Sequence, residues 1–140
     1  MSLSRIIEAA ENHFNAYQKD CSGYLKKVAG DLFIDLPNYN ANGLYDYLAG
    51  SPEWENLGKG QAGMTLAVVR AFEGLLVVAA KKESGHGHVA IIVGVEKDGT
   101  PLGYWGSIAG IGKKNARLTN SWAKKKFADI SYYAYLGVLV

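Results

Sequence analysis

The chain changes its hydrophobic period once, near Gly74, and that switch limits the folds open to it. Before Gly74, apolar residues recur at helical spacing. Ile6, Ile7, Ala10, Phe14 and Tyr17 share one face, which predicts a helix capped by Ser4 and running to Gln18. A second helix starts near Cys21, with Leu25, Val28 and Leu32 on one face and Asp20 at the N-cap position. Pro37 breaks the chain, and Asn40 then caps a short helix with Leu44 and Leu48, closed by Gly50. Ser51-Pro52 opens a further turn, with proline at a first helical position. Residues 61–72 form the most amphipathic segment, with Met64, Ala67, Val68, Ala71 and Phe72 clustered.

After Gly74 the signal is that of strands. Residues 75–80 and 89–95 are β-rich runs separated by the turn cluster K-K-E-S-G-H-G. K-D-G-T marks a second turn, residues 103–109 a third strand, and residues 130–140 alternate as a final strand. Helices followed by antiparallel strands predict an α+β fold, N-terminal helices packed on a small antiparallel sheet. A chain of 140 residues suffices for one domain with its own core, so residues 1–140 are expected to form a single catalytic domain.

Composition removes several function classes. No window approaches the roughly eighteen uninterrupted apolar residues of a membrane span, so no membrane insertion is expected. The start, M-S-L-S-R-I-I-E-A-A-E, lacks the basic and apolar regions of a Sec signal peptide, so synthesis in the cytoplasm and export by another route are expected. The formal charge of +2 and a single short basic run at residues 124–126 argue against a nucleic-acid partner.

Chemistry enters at the single cysteine, which has no intrachain partner and is either an inert core residue or a reactive thiol. D-C-S-G-Y places Cys21 at a helix N-terminus, where about half a positive charge and free N–H groups are expected to lower a thiol pKa. G-H-V-A-I-I-V-G places His88 at the start of a strand, where the sheet would hold the imidazole rigidly. Together they read as the two halves of a papain-type nucleophile, with the Cys21 N–H as oxyanion donor. A small buried hydrophobe and an ordinary strand histidine remain the plain alternatives. His86 and His88 form H-x-H, half of a metal site, but no further ligand cluster follows at the right spacing, so neither metal nor cofactor is expected. His13 falls within the first helix as an ordinary residue. The group that orients the imidazole is sought in G-Y-W-G-S-I-A-G, which contains no Asp, Asn, Gln or His. Tyr104, Ser107 or a backbone carbonyl near Trp105 remain, with core packing the alternative for both rings.

D-C-S-G-Y before a helix and G-H-V-A-I-I-V on a strand resemble the NlpC-type papain-like peptidoglycan hydrolases. The closer resemblance is to one branch, the first family of type VI secretion amidase effectors. It rests on D-C-S-G-Y, then P-N-Y-N-A-N from Pro37, G-H-V-A, W-G-S-I-A-G from Trp105, and an ending with Tyr132, Tyr133 and Tyr135, in that order along nearly the whole chain. The resemblance implies an amidase that cuts stem peptides between the γ-carboxyl of D-glutamate and meso-diaminopimelate. It implies Cys21 as nucleophile and His88 as base. It also implies injection into the periplasm of a rival Gram-negative cell by a type VI apparatus, and a cognate immunity protein. The protein is expected to be a monomer. Asp20, Ser22, Asn40, Tyr104 and Ser107 flank the dyad in the family-like motifs and are expected to bind substrate in one cleft, with the Trp105 carbonyl as orienting group. The chain departs from the family pattern in lacking extra cysteines and in placing Trp105 where a cysteine is expected beside the imidazole. A housekeeping wall endopeptidase, a papain-like acyltransferase or deamidase, and a non-catalytic wall-binding domain are the competing functions.

Overall fold

The computed structural model describes residues 2–108 and 110–137. Three helices come first: α1 (Leu3–Phe14), α2 (Cys21–Asp31) and α3 (Ala41–Gly50). Strand β1 (Trp54–Lys59) precedes α4 (Gly60–Phe72), and four strands follow: β2 (Val77–Lys81), β3 (His88–Val95), β4 (Pro101–Trp105) and β5 (Lys113–Arg117). Two short 3₁₀ helices, Leu118–Asn120 and Lys124–Asp129, lead into β6 (Ser131–Tyr135). The strands form one sheet in the order β1-β6-β2-β3-β4-β5, antiparallel at every pairing. The class is the expected α+β.

Helices cover both faces of this sheet, which explains why its central strands read as continuous apolar runs. On one face Val78, Ala80, Val89, Ile91, Val93, Tyr104 and Tyr133 pack against α1, α2 and α3. On the other, Val77, Ala79, Ala90, Ile92, Trp105 and Tyr132 meet Met64, Ala67 and Ala71 of α4, together with Leu118 and Trp122. The alternation of β3 and β4 therefore sends neighbouring residues into different cores, and this divides the site residues below.

Several boundaries differ from the sequence expectations. Ser2, not Ser4, caps α1 by accepting the Arg5 N–H, and the helix stops at Phe14 instead of Gln18. The chain then turns, with Tyr17 N donating to Phe14 O and Asp20 N to Tyr17 O. Ser51-Pro52 leads into β1 instead of a helix. The pattern of β1 is broken by an irregularity between Asn56 and Gly58, where Gly58 takes φ 96°, so no clean period of two is visible. Strand β5, K-K-N-A-R, is a polar edge strand with no apolar face to betray it. The third expected strand is the earlier Pro101–Trp105. Ala109 and residues 138–140, included in the expected strands, lie outside the described residues.

Candidate active site

The N-terminus of α2 is built by its own sequence. Asp20 is extended (φ −145°, ψ 92°), and its carboxylate accepts the Gly23 N–H at 2.9 Å and the Ser22 hydroxyl at 3.2 Å. Gly23 is required, because a Cβ there would lie 2.2 Å from Asp20 Oδ2. Cys21 becomes the first residue of the helix and is buried. The backbone N–H groups of Val89, Ser22 and Cys21 itself act on the thiol and favour its anion. Burial opposes them more strongly, the Asp20 carboxylate adds to it, and the thiol pKa ends above its ordinary value. The expectation of a lowered thiol pKa is thereby corrected: desolvation outweighs the helix terminus.

His88 opens β3 opposite Lys81 of β2. Its imidazole stands on the face of Ala90 and Ile92, with its ring centroid 4.8 Å from that of Trp122 and 6.5 Å from that of Trp105, both edge-on. Burial lowers its pKa to about 4, against a smaller opposing pull from the Glu83 carboxylate. Nε2 is buried with no hydrogen-bond partner. The Trp105 carbonyl therefore does not fill the orienting role expected of it. It faces Gly112, where a Cβ would lie 2.4 Å from that oxygen. Trp105 instead contributes its ring as a wall.

The thiol and the imidazole lie on opposite faces of β3 near its first residues, where the Val89 N–H meets the thiol. Catalytic contacts in substrate-free enzymes commonly tighten only when substrate is bound. A small pocket of about 40 Å³ is lined by Asp20, Cys21, Ser22, Asn40, His86 and Ile108. A larger one, about 310 Å³, is lined by His88, Trp105, Ser107, Ser121, Trp122 and Lys126 among others. His86, Gly87 and Ile108 line both, so the two form one groove. The groove gathers Asp20, Cys21, Ser22, Asn40, His88, Trp105 and Ser107. It does not include Tyr104, whose ring is buried on the other face of β4 and whose hydroxyl donates to Glu11 at 2.6 Å. Tyr104 is thus a structural residue, removed from the groove by the alternation of β4.

Two clamps shape the groove. In the first, Ser107 N and Gly112 N are pinned to one carbonyl, each donating to Gln18 O at 2.9 Å. Gly106 and Gly112 allow this approach, since a Cβ on Gly106 would sit 2.3 Å from Tyr17 O and one on Gly112 2.9 Å from Gln18 O. The second clamp is Asn42, whose amide donates to Glu83 O at 2.8 Å and accepts from Glu83 N at 3.2 Å. It fixes the turn before His88, with Gly87 pressed against its Oδ1. Glu83 also accepts from Lys126 at 2.7 Å and Lys81 at 3.2 Å, which lower its pKa. Sequence reasoning missed Glu83, Ser121, Trp122 and Lys126, all placed by tertiary contact. Asn42 and Gly87 were visible within the motifs but carried no assigned task. His13 pairs with Asp31 at 3.3 Å, away from the groove. Among the described residues, no group of three His, Cys, Asp or Glu side chains is placed to hold a metal ion.

No family model matches the chain. It is 31% identical over 121 residues to the peptidoglycan amidase Tse1 of Pseudomonas aeruginosa, an alignment spanning 83% of this chain and 75% of that protein. The chain belongs to the Tse1-like amidase family. The groove is walled by Trp105 and Trp122 and carries the Cys21 thiol and the half-buried His88 imidazole.

Proposed function

We propose that the protein hydrolyses the γ-D-glutamyl–meso-diaminopimelate bond of peptidoglycan stem peptides, with Cys21 as nucleophile and His88 as base. Membership of a family whose relative is named a peptidoglycan amidase carries the substrate class. The observation that carries the mechanism is the meeting of the α2 N-terminus and the start of β3, where the N–H beside His88 faces the Cys21 thiol.

His88 is neutral at physiological pH and is therefore ready to accept a proton. With Nε2 buried among the tryptophans, Nδ1 is the nitrogen that serves the thiol. The thiol proton passes to Nδ1 as sulfur attacks the scissile carbonyl. The N–H of Cys21, at the start of α2, is the donor for the developing oxyanion. The imidazolium then gives its proton to the departing diaminopimelate amine, and water releases the acyl group from sulfur. Asp20, Ser22, Asn40 and Ser107 line the groove and offer hydrogen bonds to a peptide with free carboxylates. Action in a rival periplasm after type VI injection, and silencing by a cognate immunity protein, belong to the same reading. Ile108 and Ile111, 60% and 67% exposed on the groove rim, suit an apolar plug from such a partner.

The test is mass spectrometry of Gram-negative sacculi digested with the protein. New D-glutamate carboxyl ends and diaminopimelate amino ends are expected, and Cys21→Ala should abolish them. Cleavage retained by that variant would exclude the thiol mechanism, and intact sacculi would exclude the amidase reading.

A further inference from the structure

Two buried polar atoms are unpaired, His88 Nε2 and Ser121 Oγ, and the two residues that carry them line the same cavity. The remaining unpaired atom among the described buried side chains, Tyr132 Oη, does not belong to that cavity. An orphaned buried polar atom costs roughly 1–3 kcal/mol, so two of them on residues lining one cavity gain by sharing a contact. Their chemistry is complementary. An imidazole N–H needs an acceptor, and a serine hydroxyl accepts through two lone pairs while it rotates freely.

We propose that Ser121 is the positioning residue for His88, its hydroxyl accepting the Nε2–H across one bridging water. This rests on the assignment of His88 as the base. Ser121 is held firmly for the task. Its N–H donates to Leu118 O at 2.9 Å, Trp122 N donates to the same carbonyl at 3.1 Å, and the Trp122 ring packs edge-on against the imidazole. The other candidates are turned elsewhere. The Tyr104 hydroxyl is bound to Glu11, the Trp105 carbonyl faces Gly112, and the Glu83 carboxylate is taken by Lys126 and Lys81. The charged and titratable groups around His88 are Glu83, His86 and Lys126 along the cavity and Cys21 beyond the shared rim.

The contact has a defined consequence. An acceptor at Nε2 holds the proton there, so the neutral ring presents the Nδ1 lone pair to the thiol. When the thiol proton arrives at Nδ1 and the S–H bond breaks, the Nε2–H stays bound and the imidazolium is stabilised. Ser121 would thus serve where related sites employ a carboxylate or amide.

Imidazole ¹⁵N NMR at neutral pH tests this without any catalytic readout. The wild type should show the Nε2–H tautomer of His88, with that proton protected from exchange. Ser121→Ala should shift the ring toward the Nδ1–H form and lower kcat for muropeptide cleavage roughly 10- to 100-fold with KM little changed. Ser121→Thr should restore both. A wild-type ring already in the Nδ1–H form, or an unaltered tautomer in Ser121→Ala, would overturn the proposal. The wild-type measurement stands even if a variant fails to fold. Failure of the Cys21→Ala control would instead sink the thiol mechanism and leave the tautomer result intact.

Discussion

The two halves of the groove are built by opposite means. Around Cys21 the parts are consecutive in sequence: Asp20 caps, Gly23 permits the cap, and the first N–H groups of α2 face the thiol. Around His88 the parts come from four separate stretches: Glu83, Trp105, Ser121-Trp122 and Lys126. The first half is held by backbone hydrogen bonds, the second by aromatic packing. The comparison teaches that burial dominates the ionisation of both. It raises the thiol pKa and lowers that of the imidazole, so the resting pair is thiol and neutral imidazole. The free protein thus stores no thiolate–imidazolium pair.

The largest expected effect tests which histidine belongs to the buried half. His88→Ala should lower muropeptide cleavage by roughly 10²- to 10⁴-fold, the usual worth of a positioned base. His86, exposed on the rim between the two pockets, should change it only a few-fold when replaced by alanine. Equal losses from the two variants would break the assignment.

A second experiment sharpens the contrast through stability. His88 titrates at about 4 in the folded protein, against an ordinary value of 6.5. Below pH 6.5 the unfolded chain takes up a proton that the native state refuses. Stability should thus fall as pH drops from 6.5 towards 4, by roughly 3 kcal/mol across the window. His88→Asn should flatten that slope in urea unfolding at stepped pH. An unchanged slope would show that the ring is not buried in its neutral form.

The smallest effect concerns the locally built half. Asp20→Ala removes one cap and should cost about 1 kcal/mol in thermal or denaturant unfolding. It should leave the acid slope attributed to His88 unaltered. A loss several times larger would mean that the α2 N-terminus depends on tertiary support as heavily as the imidazole does.

Much of the fold was legible because strong signals were local. The caps Asp20 and Asn40 accept the Gly23 and Gly43 N–H groups as their residue types demand. The β-rich runs of β2 and β3 announced strands, and the structure shows them buried on both faces. Strand β5 was missed because an exposed edge needs no apolar alternation, and β1 because an irregularity at Gly58 interrupts its own. At the site, Tyr104 was misplaced because the motif shows an aromatic pair but not which of the two faces each ring enters. The order of the strands decides that, and it sends Tyr104 to the α1–α3 core and Trp105 to the other.

What the sequence by itself determined is the setting of Cys21 and the family. A helix start is written in a few adjacent residues, and ordered motifs survive along a chain. What only the tertiary structure decided is the state of the pair and the company of the imidazole. Ionisation follows desolvation, which depends on everything packed around a group. The neighbours of His88 come from chain segments that meet only when β3, β4 and the 3₁₀ turn before Trp122 close around one ring.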